Sequence, residues 1–166
     1  MDIQRVFLHE LADEAAKTRA MIERIPDDKF DWRPHHKSMT LHDLAVHVAE
    51  IPEWVAIVMT TDGLDFAVTP YQPKHCTTTA DVLALAEKSV AAARRELEAA
   101  SDEEFSKQWT MQNGEHIISV ETKAESFRHC QNQVVHHRAQ LGVYLRLLDI
   151  PIPGSYGPSA NEPNYM

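Results

Sequence analysis

Four segments of the chain repeat apolar residues at steps of three and four, the spacing that turns one helical face toward a neighbour. Residues 2–24 read as the first helix, with Ile3, Phe7, Leu11, Ala15 and Ile22 on one face and Glu10, Asp13, Glu14 and Lys17 mostly off it. Pro26 ends that helix, and a polar connection runs through Pro34. Thr40-Leu41-His42-Asp43 resembles a capping box and opens the second, with Leu41, Leu44, Val48, Ile51, Val55 and Val58 inward. Pro52 should kink it or mark a local break, and Asp62-Gly63 closes it. Residues 64–77, with Pro70 and Pro73, read as an extended connection. Thr78-Thr79-Ala80-Asp81 repeats the capping signal for a third helix over 79–100, with Val82, Leu85, Ala86, Val90, Ala93 and Leu97 inward.

Residues 107–120 change character. β-type residues flank Asn113-Gly114, a strong tight-turn pair, and predict a short hairpin or extended loop. The fourth helix then covers 120–148, and Pro151, Pro153, Gly154 and Pro158 make the tail irregular. The pattern predicts an all-α single domain over 1–166: a four-helix bundle with a hairpin or loop between helices three and four. The long connections after the first and second helices leave the connectivity open.

The fourth helix holds the most informative departure. Its apolar positions run Phe127, Cys130, Val134, then His137, then Leu141, Tyr144 and Leu148, so a histidine stands where a leucine is expected. Gln133 lies one turn earlier, roughly 40° around the wheel. An imidazole in an apolar seam costs free energy unless its nitrogens are satisfied. His47 borders the inward stripe of the second helix, between Leu44 and Ile51. Two residues at i and i+4 on one helix plus one from a facing helix is a common way to build a metal site in a bundle. Equally, a histidine at a helix boundary is more often a hydrogen-bonded structural residue. Imidazole suits zinc, nickel, copper or iron, and three protein ligands leave positions open for water or substrate.

Composition narrows the rest. With 166 residues and 43% hydrophobic content the chain can bury a core without staples. A net charge of −9 argues against a nucleic-acid backbone as partner. No apolar stretch approaches the roughly 20 residues that span a bilayer, and the charged N-terminus is not a signal peptide, so a cytoplasmic location is expected. Cys76 and Cys130 form no spacing motif and suit a reducing compartment. Cys130, on the inward face, should be inert because apolar surroundings raise a thiol pKa. Arg138 and Arg146 read as ion-pairing residues, Trp54 as core or dimer surface, and His35-His36 as solvated. Glu50 is close enough to His47 to act as a base or to orient it, although an isolated helical carboxylate is ordinarily solvated. His136 reads as an edge residue.

The string His136-His137-Arg138-Ala139-Gln140-Leu141-Gly142-Val143-Tyr144-Leu145-Arg146-Leu147 resembles the signature of the DinB-like superfamily. The tail from Ile150 through Glu162 resembles that family's ending, and Trp32-Arg33-Pro34, the run Ser38 to His47 and Trp54 resemble its second-helix region. The resemblance implies a four-helix bundle, often dimeric, that binds a divalent metal through three histidines. It also implies metal-assisted chemistry such as thiol S-transfer with a low-molecular-weight thiol, or hydrolysis, on a small-molecule substrate. Carried over by position, the metal ligands are His47, Gln133 and His137, with zinc or nickel as the ion. Gln133 departs from the pattern, since the family has histidine there. A neutral amide oxygen is a poorer ligand for zinc or nickel. Three outcomes stay open: weak ligation by Gln133; substitution by His129 or His136, roughly 80–100° around the wheel from His137; or loss of the metal, leaving a non-catalytic bundle that binds a small ligand or a partner.

Overall fold

The computed structural model describes residues 2–164. Four long helices form its body: α1 (Ile3–Ile22), α2 (Leu41–Thr60), α3 (Thr79–Ala99) and α5 (Lys123–Leu147). Each begins where a side-chain oxygen satisfies a free backbone N–H of the first turn. Asp2 accepts from Arg5 N and Thr40 from Asp43 N, while Thr78 with Asp81 and Thr122 with Glu125 form reciprocal capping boxes. α2 runs unbroken through Pro52, so the expected break does not occur. A single turn, α4 (Asp102–Phe105), follows α3.

The region between α3 and α5 adds more than a hairpin. Strands β2 (Gln108–Asn113) and β3 (His116–Thr122) pair antiparallel, and β1 (Gly63–Asp65) joins β2 in parallel, giving the order β1-β2-β3. The bundle is therefore mostly helical with a small mixed sheet, and α5 starts at Lys123, not at 120. A three-residue strand carries too little alternation to be seen in the sequence. Gly63 makes the pairing possible, because a Cβ there would lie 2.5 Å from the Thr110 carbonyl oxygen. The hairpin loop centres on Gly114-Glu115 with Gly114 at φ +60, so Asn113 ends β2 and only glycine takes the left-handed position.

Two core clusters fill the bundle. One packs Met21, Ile22, Leu41, Leu44, Val48, Leu141 and Leu145; the other packs Leu11, Val55, Val58, Leu97, Phe105, Trp109 and Phe127. The inward stripe of α5 runs Phe127, Cys130, Val134, Arg138, Leu141 and Leu145. Arg138, not His137, occupies its centre. The guanidinium is 2% exposed and meets Glu14 Oε2 at 2.6 Å, with further bonds to the Glu14 carbonyl, Thr18 Oγ1 and the Tyr156 hydroxyl. Glu14 thus turns into the core, against the pattern's expectation, because a paired and hydrogen-bonded charge can be buried where a lone one cannot. Tyr156 donates to the Glu14 carboxylate and so ties the irregular tail across α1 and α5. No helix among the described residues is long and apolar enough to cross a membrane.

Candidate functional site

α2 and α5 pack against each other along the bundle, and their facing edges bring His47 and His137 together. The rings stand edge to face with centroids 4.6 Å apart. Both are partly buried, because rotation of α5 to seat Arg138 leaves His137 at the margin of the inward stripe.

Each imidazole is fixed by a different partner. Glu50, one turn after His47 and 2% exposed, accepts from His47 Nδ1 at 3.1 Å. Tyr71, from the connection after β1, donates its hydroxyl to the same Glu50 oxygen at 2.6 Å. Glu50 is therefore a buried orienting carboxylate and not a solvated one. Burial and the neighbouring carboxylate push the Tyr71 phenol upward, so it remains a donor. A carboxylate on Nδ1 selects the tautomer that carries its proton there, which leaves a lone pair on His47 Nε2.

His137 sits between two amides. Its Nε2 lies 3.0 Å from Gln133 Oε1 and its Nδ1 lies 3.0 Å from Gln140 Oε1. Gln140 Nε2 in turn meets His136 Nε2 at 3.1 Å, and Gln133 Nε2 meets His129 Nε2 at 3.5 Å. Burial lowers the His137 pKa, and the nearby His47 and His136 add to the effect, outweighing the opposing Gln140 hydrogen bond. A neutral imidazole has a single N–H. Only one of the two amide oxygens can receive it, so one contact sets two lone pairs face to face. Either a cation lies between them or that amide turns to present its NH2.

One pair of donor atoms and one pair of rings have spacings that a shared divalent ion would allow. Two donors about 2.1 Å from one ion and at right angles stand about 3.0 Å apart, the spacing of His137 Nε2 and Gln133 Oε1. Imidazoles sharing such an ion have centres roughly 4.5–5 Å apart, which matches the two rings. Among the described residues no group of three or more His, Cys, Asp and Glu side chains could hold an ion, and the further oxygen beside His137 Nε2 is the neutral Gln133 amide. His136 packs edge to face on His137 with ring centroids 4.8 Å apart and also meets Gln140, while His129 meets Gln133 and lines the adjoining cavity.

A cavity of about 180 Å³ opens beside these residues, between α2, the sheet and the first half of α5. Ile51, Trp54, Val58, Trp109 and Met111 give it apolar walls; His47, Gln133, His129 and Glu121 supply its polar rim. The sheet thus earns its place as one wall. Trp109 is pinned there by its indole N–H, which donates to Thr61 Oγ1 at 3.0 Å. His129 Nδ1 stands 3.8 Å from Glu121 Oε1. Cys130 lines the same space, but burial pushes its thiol up to about 12. That agrees with its expected inertness. The hairpin over 107–120 was expected, but the sequence offered no signal that Trp109, Glu121 or Ser126 line a cavity, since that depends on how the hairpin and α5 pack against the distant α2.

A mostly helical bundle carrying an imidazole–amide site beside a walled cavity is the class that fold and site define. The chain belongs to the DinB family, whose family model matches residues 1–165. Its fold is shared with a DinB-like protein from Bacillus subtilis (TM-score 0.71, 18% identity, covering 90% of this chain and 96% of that one). A protein assigned to the DinB family from Exiguobacterium sibiricum matches at TM-score 0.67 and 21% identity, covering 90% and 93%. YfiT from Bacillus subtilis, a probable metal-dependent hydrolase with an unusual four-helix bundle topology, matches at 0.63 and 15%, covering 88% and 87%. No curated protein matches the chain.

Proposed function

We propose that this protein is a divalent-metal-dependent enzyme acting on a small molecule, by thiol S-transfer or hydrolysis, with His47, Gln133 and His137 as the ligands. The observation that supports this best is the pairing of His137 Nε2 with Gln133 Oε1 while Glu50 fixes the lone pair of His47 on Nε2. A zinc or nickel ion bound there would polarise a coordinated oxygen or favour the thiolate form of a coordinated thiol. The chain's own residues do the remainder. Glu50 and Gln140 hold the Nδ1 protons and aim the opposite ring nitrogens. Trp54, Trp109 and Met111 keep water from the reacting groups. His129, near Glu121 on the rim, is placed to take a proton from a bound thiol or water. Cys130 keeps its proton at neutral pH, so any sulfur nucleophile arrives with a small thiol. With a neutral amide in place of a third imidazole, affinity is expected to be modest.

A second reading rests on the same amides. If Gln133 turns its NH2 toward His137 Nε2, every contact of the ring is satisfied without an ion, and the protein is a non-catalytic binder of a small ligand. Metal analysis of tag-free protein, with thermal shifts in zinc, nickel or manganese and in low-molecular-weight thiols, separates the two. Near-stoichiometric metal, or a melting temperature that rises with ion concentration, supports the enzyme. Sub-stoichiometric metal that does not increase on ion addition refutes it in favour of the binder.

A further inference from the structure

A glutamine serves as a ligand only when its oxygen, and not its NH2, faces the ion, and the two ends of an amide differ in little but donor and acceptor character. Two residues beyond the site make that choice. His129, Gln133 and His137 follow at steps of four on α5, so their side chains stand in one row. Gln133 Oε1 meets His137 Nε2 at 3.0 Å, and Gln133 Nε2 meets His129 Nε2 at 3.5 Å. An amide NH2 only donates, so His129 Nε2 offers its lone pair and the ring carries its proton on Nδ1. Glu121 Oε1, from β3, stands 3.8 Å from that Nδ1. The carboxylate only accepts, and its charge favours an N–H dipole that points at it. One end of the row is thereby anchored on a group that cannot reverse its direction.

We infer that Glu121 and His129 are positioning residues, which fix the Gln133 amide with its oxygen toward His137 without touching an ion themselves. The second amide has no such anchor. Gln140 presents Oε1 to His137 Nδ1 at 3.0 Å and its NH2 to His136 Nε2 at 3.1 Å, but His136 is exposed and free to take either tautomer. When both oxygens face His137, its one proton goes to Gln140, and the Nε2 lone pair faces Gln133 Oε1, an arrangement that a cation between them stabilises. Without a cation Gln140 is the amide that turns, and His137 donates from Nε2 to Gln133. The lone pair of His129 that aims Gln133 is the one that accepts a proton in the proposed reaction, so the amide is held until that step. The inference deepens the proposed function and rests on Gln133 facing the ion, but its anchor is read in protein without metal.

The test reads imidazole nitrogen-15 shifts of chelator-treated full-length protein at about pH 8, where free imidazoles are neutral. His129 is expected to carry its proton on Nδ1, and Glu121→Gln to abolish that preference. His137 should carry its proton on Nε2 before zinc is added and on Nδ1 afterwards, while the His129 nitrogens show no coordination shift. His129→Phe removes no charge at that pH and should weaken zinc about tenfold, as loss of a group that orients a ligand does. A proton on Nε2 of His129, a His129 tautomer indifferent to Glu121→Gln, or a metal-free His137 protonated on Nδ1 overturns the proposal. So does a zinc-induced coordination shift at His129, which would make it a ligand. Rings of His47 and His137 that ignore zinc, with the His129 tautomer and its response to Glu121→Gln as expected, sink the metal reading and leave the anchored amide standing. A zinc response with His129 protonated on Nε2 does the reverse.

Discussion

Replacing Arg138 with methionine keeps most of the buried stem and removes the guanidinium. Glu14, 6% exposed, then loses the 2.6 Å ion pair and retains the Tyr156 hydroxyl, with Lys17 Nζ 3.6 Å away. The Glu14 carbonyl and Thr18 Oγ1 lose their donor as well. Stripping one partner from a buried pair costs about 3–5 kcal/mol, mostly as the penalty of the charge left behind. At roughly 2–4 °C per kcal/mol for a chain of this size, the midpoint should fall by about 6–20 °C. Urea unfolding with a fixed slope measures the loss. Glu14→Leu combined with Arg138→Met should recover most of it, because apolar replacement of both partners leaves no orphan charge. A loss below about 1 kcal/mol, as at an exposed pair, refutes the reasoning, and so does a double variant no better than Arg138→Met.

Gln133→His supplies a third imidazole where the amide now stands, and calorimetric zinc affinity should rise by at least about tenfold with a matching gain in metal-linked melting temperature; no change means residue 133 does not face an ion. Asp81 accepts from the backbone N–H groups of Thr77 and Thr78 and from the Thr77 hydroxyl, which holds its carboxyl down to about 2. The folded value lies below the unfolded one, so this stabilisation is full above about pH 3.8 and is lost as pH falls toward 2; the stabilities of wild type and Asp81→Asn should be separated above pH 3.8 and converge toward pH 2, and a separation that is absent or independent of pH refutes the cap's role. Cys76 and Cys130 are buried with thiols raised by burial, so alkylation at pH 8 should be slow in native protein and fast in urea; equal rates contradict the packing.

The four long helices were legible from their apolar stripes, joined in α2 and α3 by a recognisable cap, as in Thr78 through Leu97; the caps of α1 and α5 at Asp2 and Thr122 were not read. β1 was not, since three residues cannot show a period and Gly63 is placed there by a carbonyl remote in sequence. His47 and His137 were legible as polar residues at the edge of apolar stripes. Arg138 was read as ion-pairing, but its depth was not, because burial depends on Glu14, Thr18 and Tyr156, all distant in the chain. The same holds for Glu50, whose burial is completed by Tyr71 from a loop without any pattern. Helical spacing reports which face a residue occupies; it does not report what waits on the other side to neutralise a charge.

The chemistry assigned to the site depends on a lone pair held at His47 Nε2 by Glu50. Nitrogen-15 imidazole spectra of the metal-free protein at neutral pH read that tautomer directly. His47 should carry its proton on Nδ1, with Nε2 unprotonated and responding first when zinc is added, and Glu50→Gln should erase the preference. A proton found on His47 Nε2, or rings of His47 and His137 indifferent to zinc, would contradict it.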